Sequence, residues 1–225
     1  MPGSHEIQDF LTISFPPSDV EPGIPASRMD WTDRYLQDDT PWDKGIATPV
    51  LAEMHARHPG VFSGKTVAPG CGTGHDARSL ADLGCEVTGL DIAPPAIERA
   101  KALDPEQRVT FEVADFLNPS PEYHHAFDLL WEHTCLCALD PTLRPAYLAA
   151  AAQVLKPGGR VAGVFFINPE MDDGESGPPF GISIDDLQSS WERHGFQVID
   201  SWVPETAFPG RLGRELAMIL TKEPG

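Results

Sequence analysis

The stretch "TVAPGCGTGHDARSLADLGCEVTGLD", Thr66 to Asp91, places an apolar run, a turn with three alternating glycines, a helical segment and a second apolar run ending in a carboxylate in immediate succession. A strand that regains its direction through a helix pairs in parallel with its predecessor. The alternation continues, with strands read at 65–69, 85–90, 108–113, 127–132 and 159–166 and helices between them at 74–83, 93–103 and 140–155. Short connections between such units predict an α/β chain with a doubly wound, seven-stranded, mostly parallel sheet covered on both faces. Beyond residue 182 a helix is expected from Ser183 to His194, then strands at Phe196–Val203 and Glu215–Thr221. Two strands with no helix between them predict an antiparallel end to the sheet.

The region before the sheet is different in kind. Residues 1–27 carry Pro2, Pro16, Pro17, Pro22 and Pro25 without a sustained period and read as an extended arm. Residues 28–39 read as a helix bearing Met29, Trp31, Tyr35 and Leu36, and Thr48 with Pro49 starts a second helix that runs to about His58. The expected organisation is therefore an arm, 1–27, and one domain, 28–225, whose residues 28–60 precede the first strand.

At 225 residues the chain is long enough to bury one full core. Its 16 basic and 34 acidic residues leave a charge of −18, which repels phosphate backbones and anionic lipid and argues against nucleic-acid and membrane partners. Cys71, Cys85, Cys135 and Cys137 lack zinc-site spacing and read as reduced thiols, with no metal expected. No apolar run approaches the roughly 18 residues of a membrane helix. The start "MPGSHEIQDF" has neither a basic nor an apolar signal region, so a soluble cytoplasmic protein is expected, as a monomer or weak homo-oligomer.

Four places carry chemistry. Gly70, Gly72 and Gly74 let the backbone approach a ligand and lead into a helix N-terminus. A dinucleotide fingerprint would need its third glycine where His75 stands, so the turn suits a nucleoside with a small charged tail, such as S-adenosylmethionine, or is simply a tight bend. Asp91, followed by Ile92, ends the second strand where a carboxylate can accept from both ribose hydroxyls; it can equally cap the next helix. In "EVADF", Asp115 and Phe116 offer an acid for an amino group beside an aromatic face, as an adenine ring requires, or a solvated turn acid. Glu132 and His133 leave the fourth strand at the crevice expected beside the reversal of strand order, and both are expected to point at the reacting end of the ligand. An imidazole there can orient or deprotonate an acceptor, or can be satisfied by a backbone carbonyl. Gly158 and Gly159 in "VLKPGGRVAGVFF" read as a structural turn.

Taken in order, "TPWDKGIATP", "PGCGTGHD", "GLDIAPPAIERA", "FDLLWEHTCLCALDP", "LRPAY" and "GPPFGIS" give the chain a resemblance to class I S-adenosylmethionine-dependent methyltransferases, whose sheet is Rossmann-like. More narrowly it resembles the thiopurine methyltransferase superfamily in its thiol and halide branch. The resemblance implies cofactor contacts at Trp31, Tyr35, Trp42, Gly70, Gly72, Asp91, Ile92, Asp115, Phe116 and His133, with Trp31, Tyr35 and Trp42 forming a lid. Aromatic faces attract a sulfonium cation and exclude water, although the same aromatics would serve an amphipathic helix packed on the core. Tyr35, His133, Phe166 and Phe180 fall where the acceptor would lie, and His133 is the catalytic candidate. Tyr35 stands where the plant enzymes carry tryptophan, and His133 and Phe166 where they carry tyrosine, so the acceptor pocket differs from theirs. The implied activity is methylation of a small thiol or sulfide. Halide, selenium or tellurium acceptors, a nicotinamide-dependent oxidoreductase and a non-catalytic sensor are the alternatives.

Overall fold

The structure, a computed structural model, describes residues 30–169 and 177–224; the arm read at 1–27 and the start of the helix read at 28–39 lie outside them. Two helices come first, α1 (Trp31–Leu36) and α2 (Pro49–Arg57). There follow β1 (Lys65–Pro69), α3 (His75–Asp82), β2 (Glu86–Asp91), α4 (Pro94–Ala102), β3 (Thr110–Val113) and β4 (Phe127–His133). The chain ends with α5 (Arg144–Val154), β5 (Leu155–Phe166), α6 (Ile184–Arg193), β6 (Phe196–Trp202) and β7 (Glu215–Lys222).

The seven strands form one sheet in the order β3-β2-β1-β4-β5-β7-β6. β1 pairs in parallel with β2 and β4, whereas β7 runs antiparallel to both β5 and β6. The predicted antiparallel end is present, but the last strand inserts between β5 and β6 and does not form the edge. Alternation along the strands divides the core between the two faces. Ala68, Leu129, Trp131 and Ile219 pack with Met54 of α2, Leu80 of α3 and Ile97 of α4. Val67, Leu130, Val161 and Met218 pack with Tyr147 of α5 and Trp191 of α6.

Three elements differ from the sequence reading by more than two residues at a boundary. α1 is shorter because Asp30 caps it, accepting from the Asp33 N–H at 3.1 Å, and Asp38 turns left-handed after its end. α5 starts at Arg144 and not at 140, because Asp140 accepts from the Thr142 N–H at 2.8 Å and caps a separate short turn. β5 begins at Leu155, and the expected turn sits inside it as an excursion. Its pairing with β4 jumps from Leu155 opposite Phe127 to Arg160 opposite Leu129.

Candidate active site

The strand order reverses between β1 and β4, and a crevice opens there at the carboxyl ends of the strands. The crevice is a cavity of about 610 Å³, in the ~300–1,000 Å³ range of small-molecule sites. Trp31, Tyr35, Trp42, Gly70, Gly72, Asp91, Ile92, Asp115, Phe116, His133, Phe166 and Phe180 all line it. The fold thus brings these sequence-derived candidates together, whereas Gly74 and Glu132 do not line the cavity.

The glycine turn is shaped by what approaches it. Gly70 and Gly72 have φ of 59° and 54°, and a Cβ on Gly72 would stand 2.9 Å from the Tyr35 hydroxyl. On Gly70 it would stand 2.8 Å from the Cys135 sulfur. Asp91 serves the turn and the next helix together: Oδ2 accepts from the Gly72 N–H and Oδ1 from the Ala93 N–H, both at 2.9 Å. Burial pushes its carboxyl upward against these donors. Asp115 similarly accepts from the Leu117 N–H at 3.1 Å and from Asn118 Nδ2 at 2.9 Å, which fixes the acid at the mouth of β3. The Phe116 ring lies 5.0 Å from that of Tyr147, tilted by 55°.

The segment before β1 folds down onto this turn. Trp42 Nε1 donates to the Tyr35 hydroxyl at 3.2 Å, and Trp31 meets the Trp42 ring edge-on at 5.3 Å. Asp43 is the anchor: Thr73 Oγ1 donates to it at 2.7 Å and His75 Nε2 lies 3.3 Å away. Burial opposes ionisation of Asp43, but the Thr73 hydroxyl, the Gly45 N–H and His75 hold its carboxyl below the usual range. Arg99 Nη2 donates to the Tyr35 carbonyl at 2.6 Å and ties the segment before β1 to α4.

At the end of β4, adjacent residues part company. Glu132 does not point at the reacting end, contrary to the sequence reading, because successive side chains on a strand face opposite ways. It is buried on the other face, where it accepts from the Tyr147 hydroxyl and from the Cys135 and Leu136 N–H groups, and so holds the loop after β4. His133 faces the cavity. Its Nδ1 lies 2.7 Å from Asp76 Oδ2, which also accepts from Trp131 Nε1 at 3.0 Å, while Oδ1 accepts from the Thr48 N–H at 2.8 Å. Burial opposes the charge on Asp76, yet His133 and the donors from Thr48 and Trp131 outweigh it and keep the carboxyl below its ordinary value. An ionised carboxylate only accepts, so Nδ1 carries the hydrogen and Nε2 is the acceptor of the neutral ring. Nε2 is buried and has no partner among the described residues. The alternative reading, a histidine satisfied by a backbone carbonyl, is replaced by this pairing.

Sequence reasoning missed Asp76, Phe208 and Arg211. Asp76 stands in the first turn of α3 and its "GHD" context gave no sign of its distant partner. Phe208 stacks on His133 at 6.2 Å with 25° between the ring planes, and Arg211 lines the same wall from the β6–β7 connection. The cysteines are all free thiols. Burial, reinforced by Asp91 near Cys71 and by Glu132 near Cys135, holds those thiols far above their ordinary pKa, and burial with Glu132 pushes Cys137 up to about 12. The pocket's own sulfurs therefore stay protonated and are poor competitors for an electrophile.

The thiopurine S-methyltransferase family model matches residues 26–204. The chain belongs to the thiopurine S-methyltransferase family. A probable thiol methyltransferase 2 from Arabidopsis thaliana is 32% identical over 189 residues, 82% of this chain and 81% of that one. Thiocyanate methyltransferase 1 from Brassica oleracea is 28% identical over 206 residues, 89% and 88% of the two chains. Among solved structures, a Burkholderia thailandensis 1,6-didemethyltoxoflavin-N1-methyltransferase, with bound 1,6-didemethyltoxoflavin and S-adenosylhomocysteine, superposes with a TM-score of 0.69 over 87% of each chain at 23% identity. That likeness establishes the fold of this family member as the class I methyltransferase sheet. Among the described residues no helix is long and apolar enough to cross a membrane.

Proposed function

We propose that this family member is an S-adenosylmethionine-dependent thiol S-methyltransferase acting on a small thiol or sulfide. The observation that carries the reading is the buried, unpartnered Nε2 of His133, on a ring that lines the cavity and is fixed in its tautomer by Asp76. The similarity to a thiol methyltransferase and a thiocyanate methyltransferase supports a soft nucleophile as acceptor.

The lining suits the cofactor. Trp31, Tyr35 and Trp42 offer the aromatic faces that a desolvated sulfonium requires. Gly70 and Gly72 would admit the tail, Asp91 would meet the ribose, and Asp115 and Phe116 would take the adenine. When bound, S-adenosylmethionine supplies an activated methyl group. His133 Nε2 takes the thiol proton as imidazolium forms, Asp76 stabilises that charge through Nδ1–H, and the proton later passes to solvent. Phe166, Phe180 and Phe208 form apolar walls that strip water from the thiolate and hold its sulfur in line. No metal enters this scheme. The enzyme is proposed to be cytoplasmic, and its charge of −18 supports the absence of nucleic-acid and membrane partners.

The test is headspace gas chromatography after incubation with S-adenosylmethionine and, separately, sulfide, methanethiol, larger thiols, iodide and selenite. Methylated sulfur products are expected to dominate. Methylation of iodide or selenite in preference to every thiol would overturn the acceptor class.

A further inference from the structure

Arg211 stands in the acceptor wall in a setting that a purely apolar thiol pocket does not need. Its guanidinium carbon lies 5.1 Å from the centre of the Phe166 ring and 5.7 Å from that of Phe208. The side chain is only 15% exposed, and Nη1 donates to the buried Glu215 at 3.2 Å. A guanidinium has five N–H donors in a rigid fork, and Glu215 takes one of them. The segment carrying it is ordered: the Arg211 N–H bonds the Phe208 carbonyl at 2.9 Å, and the Arg214 carbonyl accepts from Ile167 N–H at 2.9 Å, anchoring the connection beside β5.

Charge elsewhere makes this cation specific to the acceptor end. A protein of net charge −18 repels an anionic substrate at long range, so one that enters must meet a cation locally. The other arginine and lysine of the lining, Arg34 and Lys44, belong to the lid, where Arg34 pairs with Asp39 at 2.7 Å and Lys44 Nζ donates to the Pro41 carbonyl at 2.6 Å. Phe208 lies against both His133, at 6.2 Å between ring centres, and the guanidinium of Arg211. The proton acceptor and the guanidinium are thus neighbours across one ring, but they are distinct points. A ligand anion met by Arg211 would therefore be a different group from a sulfur placed at His133.

Resting on the thiol reading above, we infer that Arg211 is a carboxylate-binding residue and that the preferred acceptor is a small aliphatic thiol carrying a carboxylate a few bonds from its sulfur. The planar carboxylate matches the fork of the guanidinium, and the aliphatic spacer lies against Phe166 and Phe208.

The experiment compares 3-mercaptopropionate with its neutral amide, 3-mercaptopropionamide, in wild type, Arg211→Gln and Arg211→Lys, measuring thioether formation and the KM for S-adenosylmethionine. Wild type should favour the carboxylate in kcat/KM by about tenfold or more, the scale of one hydrogen bond to a charged group. Arg211→Gln should lower that ratio by about the same factor, mainly through KM of the acid, and Arg211→Lys should retain part of it. Because the readout is a ratio within each variant, a general loss of stability does not mimic the effect. Equal turnover of acid and amide by wild type, or a ratio unchanged in Arg211→Gln, would overturn the inference and leave the thiol reading intact. A rise in the KM for S-adenosylmethionine equal to that for the acid would assign the cation to the cofactor's carboxylate instead. If wild type methylates neither of these thiols nor sulfide, it is the thiol reading that fails.

Discussion

His133 Nδ1 and Asp76 Oδ2 lie 2.7 Å apart although 57 residues separate them in the chain. One belongs to the end of β4 and the other to the first turn of α3, the helix that the glycine turn feeds. The same carboxylate receives the Thr48 N–H, so the start of α2, the first turn of α3 and the proposed base meet on one anion.

Replacing His133 by alanine should cut kcat by roughly 10²–10⁴-fold at neutral pH, the usual range for general acid–base work. The defect should narrow as pH approaches the thiol's own pKa, because solvent then supplies the thiolate. Steady-state rates against pH check this, and a defect of constant size across the profile would remove the base role.

Asp76→Asn should reduce kcat while leaving the KM for S-adenosylmethionine nearly unchanged, since asparagine cannot stabilise the imidazolium. It should also cost about 1.5–3 kcal/mol of stability, the scale of hydrogen bonds to a charged group. The sign of the pH effect follows from the lowered carboxyl of Asp76. Its contribution is complete above the unfolded value, about pH 4, and is lost as pH falls through the depressed folded value. Urea denaturation of both proteins should thus show a gap at neutral pH that closes in acid.

Asp91→Ala removes the acceptor of the Gly72 and Ala93 N–H groups as well as the proposed ribose contact. Binding of S-adenosylhomocysteine should weaken by about 1.5–3 kcal/mol in calorimetry, and NAD should not bind the wild type. Tight NAD binding without S-adenosylhomocysteine binding would contradict the cofactor assignment.

Asp43→Asn should loosen the lid, because Thr73 and His75 both meet that carboxylate. Amide exchange across residues 30–45 should slow on binding S-adenosylhomocysteine in wild type and slow less in the variant. Gly72→Ala should have a similar effect by a different route, with a Cβ directed at the Tyr35 hydroxyl from a left-handed backbone. Identical exchange with and without ligand would exclude lid behaviour.

Much of this architecture is written locally in the chain. The strand–helix alternation, the glycines after β1, and the carboxylates Asp91 and Asp115 at the ends of strands are short-range patterns, so their placement along one sheet edge could be read without coordinates. Thr48 and Pro49 likewise announced α2, and the cap itself formed as expected. What could not be read depends on contacts between distant segments. The partner of His133, the anchoring of Asp43 on Thr73 and the arrival of Arg211 and Phe208 at the cavity wall depend on the order of the strands in the sheet and on the packing of the segment before β1 against α3. Periodicity encodes which face a residue prefers, but long-range packing sets which two faces meet, and that packing is decided by the whole core together.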